Sequence, residues 1–171
     1  MRRTKGFSLV EVMVALVVLS VGLLGMAKMQ ALALSNTTSA RMRSIAALEA
    51  ASLASTMSAD RTYWTGITAD PNVVFSAGAI TSKADATLQT ATCPCTPAQI
   101  AAVDLNDWLT DLNLQLPNAQ GQINCAAPTA PPAPTPASCT IALNWTEKQV
   151  VANSQQTSAP VTIKYTLYVE P

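Results

Sequence analysis

The first strong pattern along the chain is an apolar run from Phe7 to Ala27. This run contains a single charged side chain, Glu11, and no proline. At about 1.5 Å per residue, a helix of about 21 residues just spans a hydrocarbon core of about 30 Å. The pattern therefore predicts a helix over residues 7–28 that is long enough to cross a membrane.

The helical pattern continues beyond the apolar run, because residues 29–59 contain neither proline nor glycine. Apolar residues recur there at steps of three or four positions, as expected for one face of a helix. This stripe consists of Met42, Ala46, Ala50, Leu53 and Met57. Arg41, Arg43 and Glu49 lie off the stripe. We predict one helix of about 50 residues, with an amphipathic second half packed on a head formed by residues 60–171. The polar residues 36–39 are the weakest part of it, either a surface turn or a hinge.

A second helix is predicted after residue 96. Thr96 is a capping residue, Pro97 suits the first turn, and Gln99 completes a capping box. The apolar face of this helix consists of Ala101, Leu105, Trp108, Leu112 and Leu116. Pro117 marks its end.

Two strands are predicted near the end of the chain from alternating apolar positions. The first places Ile141, Leu143 and Trp145 on one face, and the second places Val161, Ile163, Tyr165, Leu167 and Val169 inward. Residues 147–158 form a polar connection between them. Residues 60–89 are predicted to be irregular. A turn-rich stretch is predicted to begin at Gly121. The proline-rich residues 126–137 are predicted to form an extended loop.

Composition excludes several kinds of site. The chain has no histidine, which removes Ser-His-Asp and Cys-His catalysis and histidine ligation of zinc. Asp104, Asp107 and Asp111 have helical spacing and are interpreted as the solvated face of the second helix rather than a metal or catalytic cluster. We therefore predict no catalytic residue, no metal, no cofactor and no enzymatic activity. The basic residues beyond the leader are scattered, so nucleic-acid binding has no support, although a local basic patch stays open.

The basic residues before the apolar run predict its orientation. Arg2, Arg3 and Lys5 precede the run, and positive flanks remain on the cytoplasmic side. A secretory signal peptide would have a small-residue cleavage site after its apolar core. None is clear in this sequence, so we expect the anchor to be kept, with the rest of the chain on the far side of the membrane.

One short string at the start of the apolar run is more specific than the run itself. It reads Gly6-Phe7-Ser8-Leu9-Val10-Glu11. Placed after a basic leader and before a long apolar helix, it resembles the processing site of type IV pilins. The resemblance implies that a prepilin peptidase removes residues 1–6 by cutting between Gly6 and Phe7, and that the new amine of Phe7 is methylated.

The same resemblance gives Glu11 a role in assembly. It implies that Glu11 meets the positively charged N-terminal amine of a neighbouring subunit, which offsets the cost of burying a carboxylate. The alternative is that Glu11 stays hydrated near the membrane surface, where a helix N-terminus favours negative charge.

The resemblance also implies a fold, an α+β type IV pilin fold. In it, a long N-terminal helix packs on a small antiparallel β-sheet, with a second short helix. The order Asp104, Trp108, Leu112, Leu116 and Pro117 resembles PilV-type minor pilins, which are type IV pilus modification proteins. Many major pilins have proline at the position of Lys28, and its absence favours a minor subunit.

The implied function is that of a minor type IV pilin, which initiates or is incorporated in the pilus and serves twitching motility and adhesion. The implied partners are prepilin peptidase, the major pilin and other minor pilins, the inner-membrane assembly platform, and membrane lipid before assembly. The chain would cross the inner membrane once, with a cytoplasmic leader and a periplasmic head, and later reach the pilus at the cell surface.

Two other functions remain open. A pseudopilin of a type II secretion system shares the leader, Phe7 and Glu11, so the N-terminus does not distinguish it. A membrane-tethered enzyme or ligand-binding domain would keep an uncleaved anchor.

The four cysteines, Cys93, Cys95, Cys125 and Cys139, all follow the membrane segment. Disulfides are expected in an exported domain with a thin core, and the spacing is poor for a Cys₄ zinc site. We favour a Cys125–Cys139 bond that clamps the proline-rich loop. Cys93 and Cys95 would then form a tight, strained ring, so crossed pairings stay open.

Overall fold

A computed structural model describes residues 6, 8–66, 72–83, 96–131, 135–148 and 160–171. Its described part is an α+β arrangement of a long N-terminal helix, two shorter helices and an antiparallel five-stranded sheet, which confirms the predicted fold class and is consistent with a pilin fold. The helices are α1 (Leu9–Ala59), α2 (Arg61–Trp64) and α3 (Pro97–Gln115). The strands are β1 (Asn72–Ser76), β2 (Ala79–Lys83), β3 (Gln120–Ala126), β4 (Ser138–Lys148) and β5 (Pro160–Val169).

Helix α1 is continuous over 51 residues, which corresponds to about 77 Å. It is unbroken at residues 36–39, which form a polar turn on the surface of the helix. The hydroxyls of Thr37 and Thr38 donate to the carbonyls of Ala33 and Leu34 at 2.9 and 3.0 Å. These bonds satisfy the hydroxyl groups within the helix, so the stretch of weak helix propensity stays helical.

Helix α3 begins as its sequence predicts. The backbone N–H of Gln99 donates to Thr96 Oγ1 at 3.3 Å, and the backbone N–H of Thr96 donates to Gln99 Oε1 at 2.8 Å. This reciprocal capping box and Pro97 fix the start of the helix. The helix ends before Pro117, and its predicted apolar face is buried.

The sheet has the order β2-β1-β3-β4-β5, and every neighbouring pair is antiparallel. The stretch over residues 60–89 is predicted to be irregular, which is wrong for the short helix α2 and for strands β1 and β2. These strands form a hairpin whose two turn residues, Ala77 and Gly78, have φ values of 50° and 78°. Positive φ at both positions matches the twist of the strands. The turn-rich stretch predicted from Gly121 is also wrong, because this residue lies within β3.

The two predicted strands are present as β4 and β5. Ile141, Leu143 and Trp145 are buried as expected. Val161 is predicted to face inward but is 37 % exposed, near the start of the edge strand β5. Glu147 itself belongs to β4 and not to a polar connection.

The core lies where α1 and α3 cover one face of the sheet. The stripe of α1 contributes four buried residues, Ala46, Ala50, Leu53 and Met57, with Met42 partly buried beside them. Trp108 of α3 packs edge-to-face on Phe75 of β1, with ring centroids 5.5 Å apart. Glu49 was predicted to lie off the stripe, but it is only 8 % exposed.

A disulfide joins β3 to β4. Cys125 and Cys139 lie directly opposite each other in the strand register, with Cα atoms 4.0 Å apart. This bond encloses the proline-rich segment, and a loop of this size contributes about 3 kcal/mol in the chain-entropy model. Cys93 and Cys95 lie outside the described residues.

Candidate functional site

The processing motif, residues 6–11, spans the start of the long helix. Gly6 is exposed, and Ser8 is extended with φ −75° and ψ 141°. Helix α1 begins immediately afterwards, at Leu9. Phe7 and residues 1–5 lie outside the described residues. The expected cleavage position therefore borders extended backbone at Ser8.

Glu11 lies in the first turn of α1, and its backbone N–H donates to the carbonyl of Ser8 at 3.0 Å. Its side chain is exposed and has no hydrogen-bonding partner among the described residues. The free N–H groups and the dipole at a helix N-terminus favour a carboxylate there. A positively charged group of a second chain could therefore pair with Glu11. It would displace no partner that belongs to the described part of this chain.

The apolar half of α1 is uncovered. Large apolar side chains are exposed from its first turn to Leu34, and examples are Leu9 at 77 %, Leu24 at 73 % and Met29 at 75 % exposure. Within the described ranges, α1 is the one helix that is long and apolar enough to cross a membrane. Soluble monomers rarely expose contiguous apolar surface of this extent, so this surface is suited to lipid or to other apolar helices.

The head attaches to the second half of α1. Arg43 of α1 forms a bidentate ion pair with Glu147 of β4, through Nε–Oε1 at 3.2 Å and Nη2–Oε2 at 3.1 Å. Trp145 Nε1 donates to the same Oε1 at 3.0 Å. The side chain of Glu147 is 2 % exposed, whereas that of Arg43 is 56 % exposed. This contact joins α1 to the sheet one turn before Ala46, the first buried residue of the helix.

The ion pair makes the attachment of α1 to β4 sensitive to acid. The hydrogen bond from Arg43 lowers the pKa of Glu147 despite the opposing effect of burial, and Trp145 and Ser39 add smaller contributions in the same direction. A carboxylate whose pKa is lowered by folding stabilises the fold above its unfolded pKa, and this contribution is lost as pH falls through the folded pKa. Because Arg43 is more than half exposed, solvent screening reduces the size of the effect.

The three aspartates of α3 do not share one environment. Asp107 and Asp111 are exposed, in agreement with a solvated face. Asp104 is half-buried and lies near Asp60, so the interpretation is wrong for this residue. Burial and the charge of Asp104 raise the pKa of Asp60, whose buried Oδ2 has no hydrogen-bond partner within the described ranges. Among the residues that the structure describes, no group of three or more acidic or cysteine side chains could hold a metal ion.

Sequence reasoning missed Glu147 and Glu49 as buried carboxylates. Each has a hydrogen-bonding partner on a distant part of the chain, Arg43 for Glu147 and Gln115 for Glu49. The local pattern around each one is that of an ordinary polar position. The one local signal is Trp145, two positions before Glu147 on the same strand. A buried indole N–H usually has an acceptor, and here the acceptor is Glu147.

Comparison with known proteins gives one match. Residues 1–27 match the family model of the prokaryotic N-terminal methylation motif. No curated protein and no solved structure matches the chain. The motif implies processing by a prepilin peptidase and assembly with other pilins in a pilus or pseudopilus. Together with the uncovered apolar helix and the α+β head, it indicates a type IV pilin-like or pseudopilin protein with a structural role, anchored in a membrane by its N-terminal helix.

Proposed function

We propose that this protein is a minor type IV pilin of the PilV type, which initiates pilus assembly or is incorporated in the pilus. One observation carries the proposal. A prepilin motif covers the start of a single helix whose apolar half is uncovered and whose second half is packed into a disulfide-bonded head. A filament subunit needs both halves, because the first supplies contacts between subunits and the second fixes a surface domain.

The proposed path begins in the inner membrane, with the basic leader in the cytoplasm and residues 60–171 in the periplasm. Prepilin peptidase cuts between Gly6 and Phe7 and methylates the new amine of Phe7. The helix over residues 7–28 then passes from lipid into a bundle of like helices in the pilus. Lipid and the bundle are similarly apolar, so the transfer of aliphatic side chains alone gives little driving force.

In this scheme, Glu11 determines which helices pair and in what register. Its carboxylate is costly in an apolar environment, and pairing with the amine of Phe7 on a neighbouring subunit offsets that cost. The pairing also fixes the axial position of one helix against the next. The absence of a partner for Glu11 within the described chain supports this role.

The partners in this scheme are the major pilin, other minor pilins and the assembly platform of the inner membrane. The head, with its disulfide, determines the surface contacts of the subunit. A pseudopilin of a type II secretion system is the second candidate, since the same motif serves it. The PilV-like pattern of α3 and the disulfide-bonded head favour the minor pilin over the pseudopilin. Lys28 in place of a proline favours a minor over a major pilin.

The proposal predicts where the protein accumulates. An epitope-tagged chain is expressed in a host that assembles type IV pili, and filaments are sheared from the cells and purified. We expect the tagged chain in the sheared fraction at a level far below that of the major pilin. A host that overproduces a secretion pseudopilus is the matched comparison, and recovery only with the pseudopilus would overturn the assignment to the pilus.

A further inference from the structure

One carboxylate of α1 and one just after its end lie near carboxylates of α3. Glu49 lies near Asp111, and Asp60, which follows the last residue of α1, lies near Asp104. Acidic groups that face each other across a helix–helix contact repel when both are ionised. Such a pair of acidic side chains therefore occurs once between α1 and α3, and a second time between the residue that follows α1 and α3.

The Glu49 position is the more enclosed of the two. Glu49 is 8 % exposed, and its Oε1 accepts a hydrogen bond from Gln115 Nε2 at 2.6 Å. Its backbone carbonyl accepts from Trp108 Nε1 at 2.9 Å. Asp111 precedes Gln115 by one turn of α3. Glu49 is thus held in the contact by neutral donors while a second carboxylate lies close by.

No cation compensates this carboxylate at its neighbouring positions on α1. The residues three and four positions away on either side are uncharged: Ile45, Ala46, Ser52 and Leu53. On the same helix, Arg43 is already paired with Glu147 of β4. Lys164 of β5 is exposed and lies between Ile163 and Tyr165, which both face the core. Its side chain is therefore on the opposite face of the sheet, away from α1 and Glu49. Arg61 of α2 is also exposed.

We propose that the contact between α1 and α3 is an acid-strengthened latch, in which protonation of Glu49 removes its repulsion from Asp111 and tightens the packing of the head on the helix. The hydrogen bond from Gln115 can persist, because a protonated carboxyl group keeps acceptor capacity. This inference does not depend on the proposed function, since it concerns the packing of one chain.

The direction follows from linkage. Burial, first, and the charge of Asp111, second, raise the pKa of Glu49. A carboxylate whose folded pKa is raised binds a proton more readily when folded, so its contribution to stability is present at low pH and is lost as pH rises through the folded pKa. The loss of stability with rising pH therefore occurs above the usual glutamate pKa of about 4.3. The ion pair between Arg43 and Glu147 responds in the opposite direction, so the two contacts of α1 have opposite dependences on pH.

The test compares the full chain with the Glu49→Gln variant in detergent micelles, with thermal unfolding followed by tryptophan fluorescence between pH 8 and pH 4. Glutamine keeps the shape and an acceptor oxygen but not the charge. We expect the variant to have a Tm higher by about 2–4 °C at pH 8. This difference should shrink as pH falls, because the wild-type side chain becomes neutral too.

A double-mutant cycle isolates the pair. Asp111→Asn should raise the Tm of the wild-type chain at pH 8 and have no effect in the Glu49→Gln background. Asp107→Asn is the matched control, since it removes an exposed carboxylate from the same helix. An equal effect of Asp111→Asn in both backgrounds, or a Glu49→Gln difference that does not change with pH, would overturn the proposal.

If the Glu49→Gln chain does not fold, the Asp111→Asn variant tests the proposal by itself. Asp111 is exposed, so its replacement should not prevent folding. The Tm gain of that variant over the wild type must then be larger at pH 8 than at pH 4. A gain that is the same at both values would reject the latch.

Discussion

Replacing Glu11 with alanine is expected to reduce the amount of the chain in purified filaments by at least about tenfold, which corresponds to about 1.4 kcal/mol of lost assembly free energy. In the proposed filament, this carboxylate pairs with the amine of Phe7 in an apolar environment, where attraction between opposite charges is stronger than in water. The variant lacks that pairing and its control of helix register. It keeps Gly6 and Phe7, so processing should continue.

The loss cannot be ascribed to poorer membrane insertion, because removing the charge makes insertion easier. At the centre of a bilayer, an acidic side chain costs about 2.5–3.5 kcal/mol on insertion scales. Glu11→Ala should therefore accumulate in the membrane with its head folded. Tagged wild-type and variant chains are compared by immunoblot in membrane and sheared-filament fractions.

Two controls make this result specific. Glu170→Gln removes an exposed carboxylate from the head and should be recovered in filaments like the wild type. Glu11→Gln keeps the size of the side chain and should fail like the alanine variant, because charge is what the pairing needs. Filaments that contain Glu11→Ala at the wild-type level would contradict the assembly role of Glu11.

Gly121→Ala is expected to destabilise the head by about 3 kcal/mol, the upper part of the usual range for overpacking a core. Gly121 lies in β3, opposite Phe75 on one side and Leu143 on the other. A Cβ at this position would overlap the carbonyl oxygen of Ala142 and lie 2.5 Å from Phe75 Cζ. The backbone oxygen cannot move without disturbing β4, and Phe75 is held by its contact with Trp108.

For a chain of this size, such a loss corresponds to a decrease in Tm of roughly 6–12 °C. Thermal unfolding of the full chain in detergent, followed by near-UV circular dichroism, measures it. Gly25→Ala is the matched control, because a Cβ at Gly25 meets nothing within 4 Å. That variant should leave the Tm of the head unchanged. A Gly121→Ala chain with the wild-type Tm would show that β3 and Phe75 do not pack as described.

The elements with strong local signals could be predicted from the sequence. Helix α1 is specified by the long stretch without proline or glycine after Gly25, and α3 by the capping box of Thr96 and Gln99. The alternation in β4 identified its buried residues in advance. The structure also has the Cys125–Cys139 pairing that the sequence favoured. For α1, α3 and β4, the signal lies within the element that it specifies or within a few residues of it.

The missed strands have weak local signals, and their pairing comes from elsewhere in the fold. Strand β3 contains Gln120, Gly121, Gln122 and Asn124, residue types that are uncommon in strands. It is a strand because β1 and β4 pair with its two edges. The β1–β2 hairpin is short, and its turn of Ala77 and Gly78 is a less common signal than Asn-Gly.

The buried carboxylates were missed for a related reason. Glu147 and Glu49 become tolerable in the interior only through Arg43 and Gln115, which lie 104 and 66 positions away in the chain. Periodicity classifies a charged residue as exposed unless its partner is known. The N-terminal motif, by contrast, is contained in a few adjacent residues, so its interpretation needs no tertiary information.

The measurement that tests the central claim most directly is the mass of the N-terminal peptide after co-expression of the full chain with a prepilin peptidase. Cleavage between Gly6 and Phe7 should give a peptide that begins at Phe7 and carries one added methyl group. An inactive peptidase gives the reference mass, and a known prepilin shows that the enzyme is active. A chain that still begins at Met1, beside a fully processed control, would contradict the pilin account and favour a tethered domain with a retained leader.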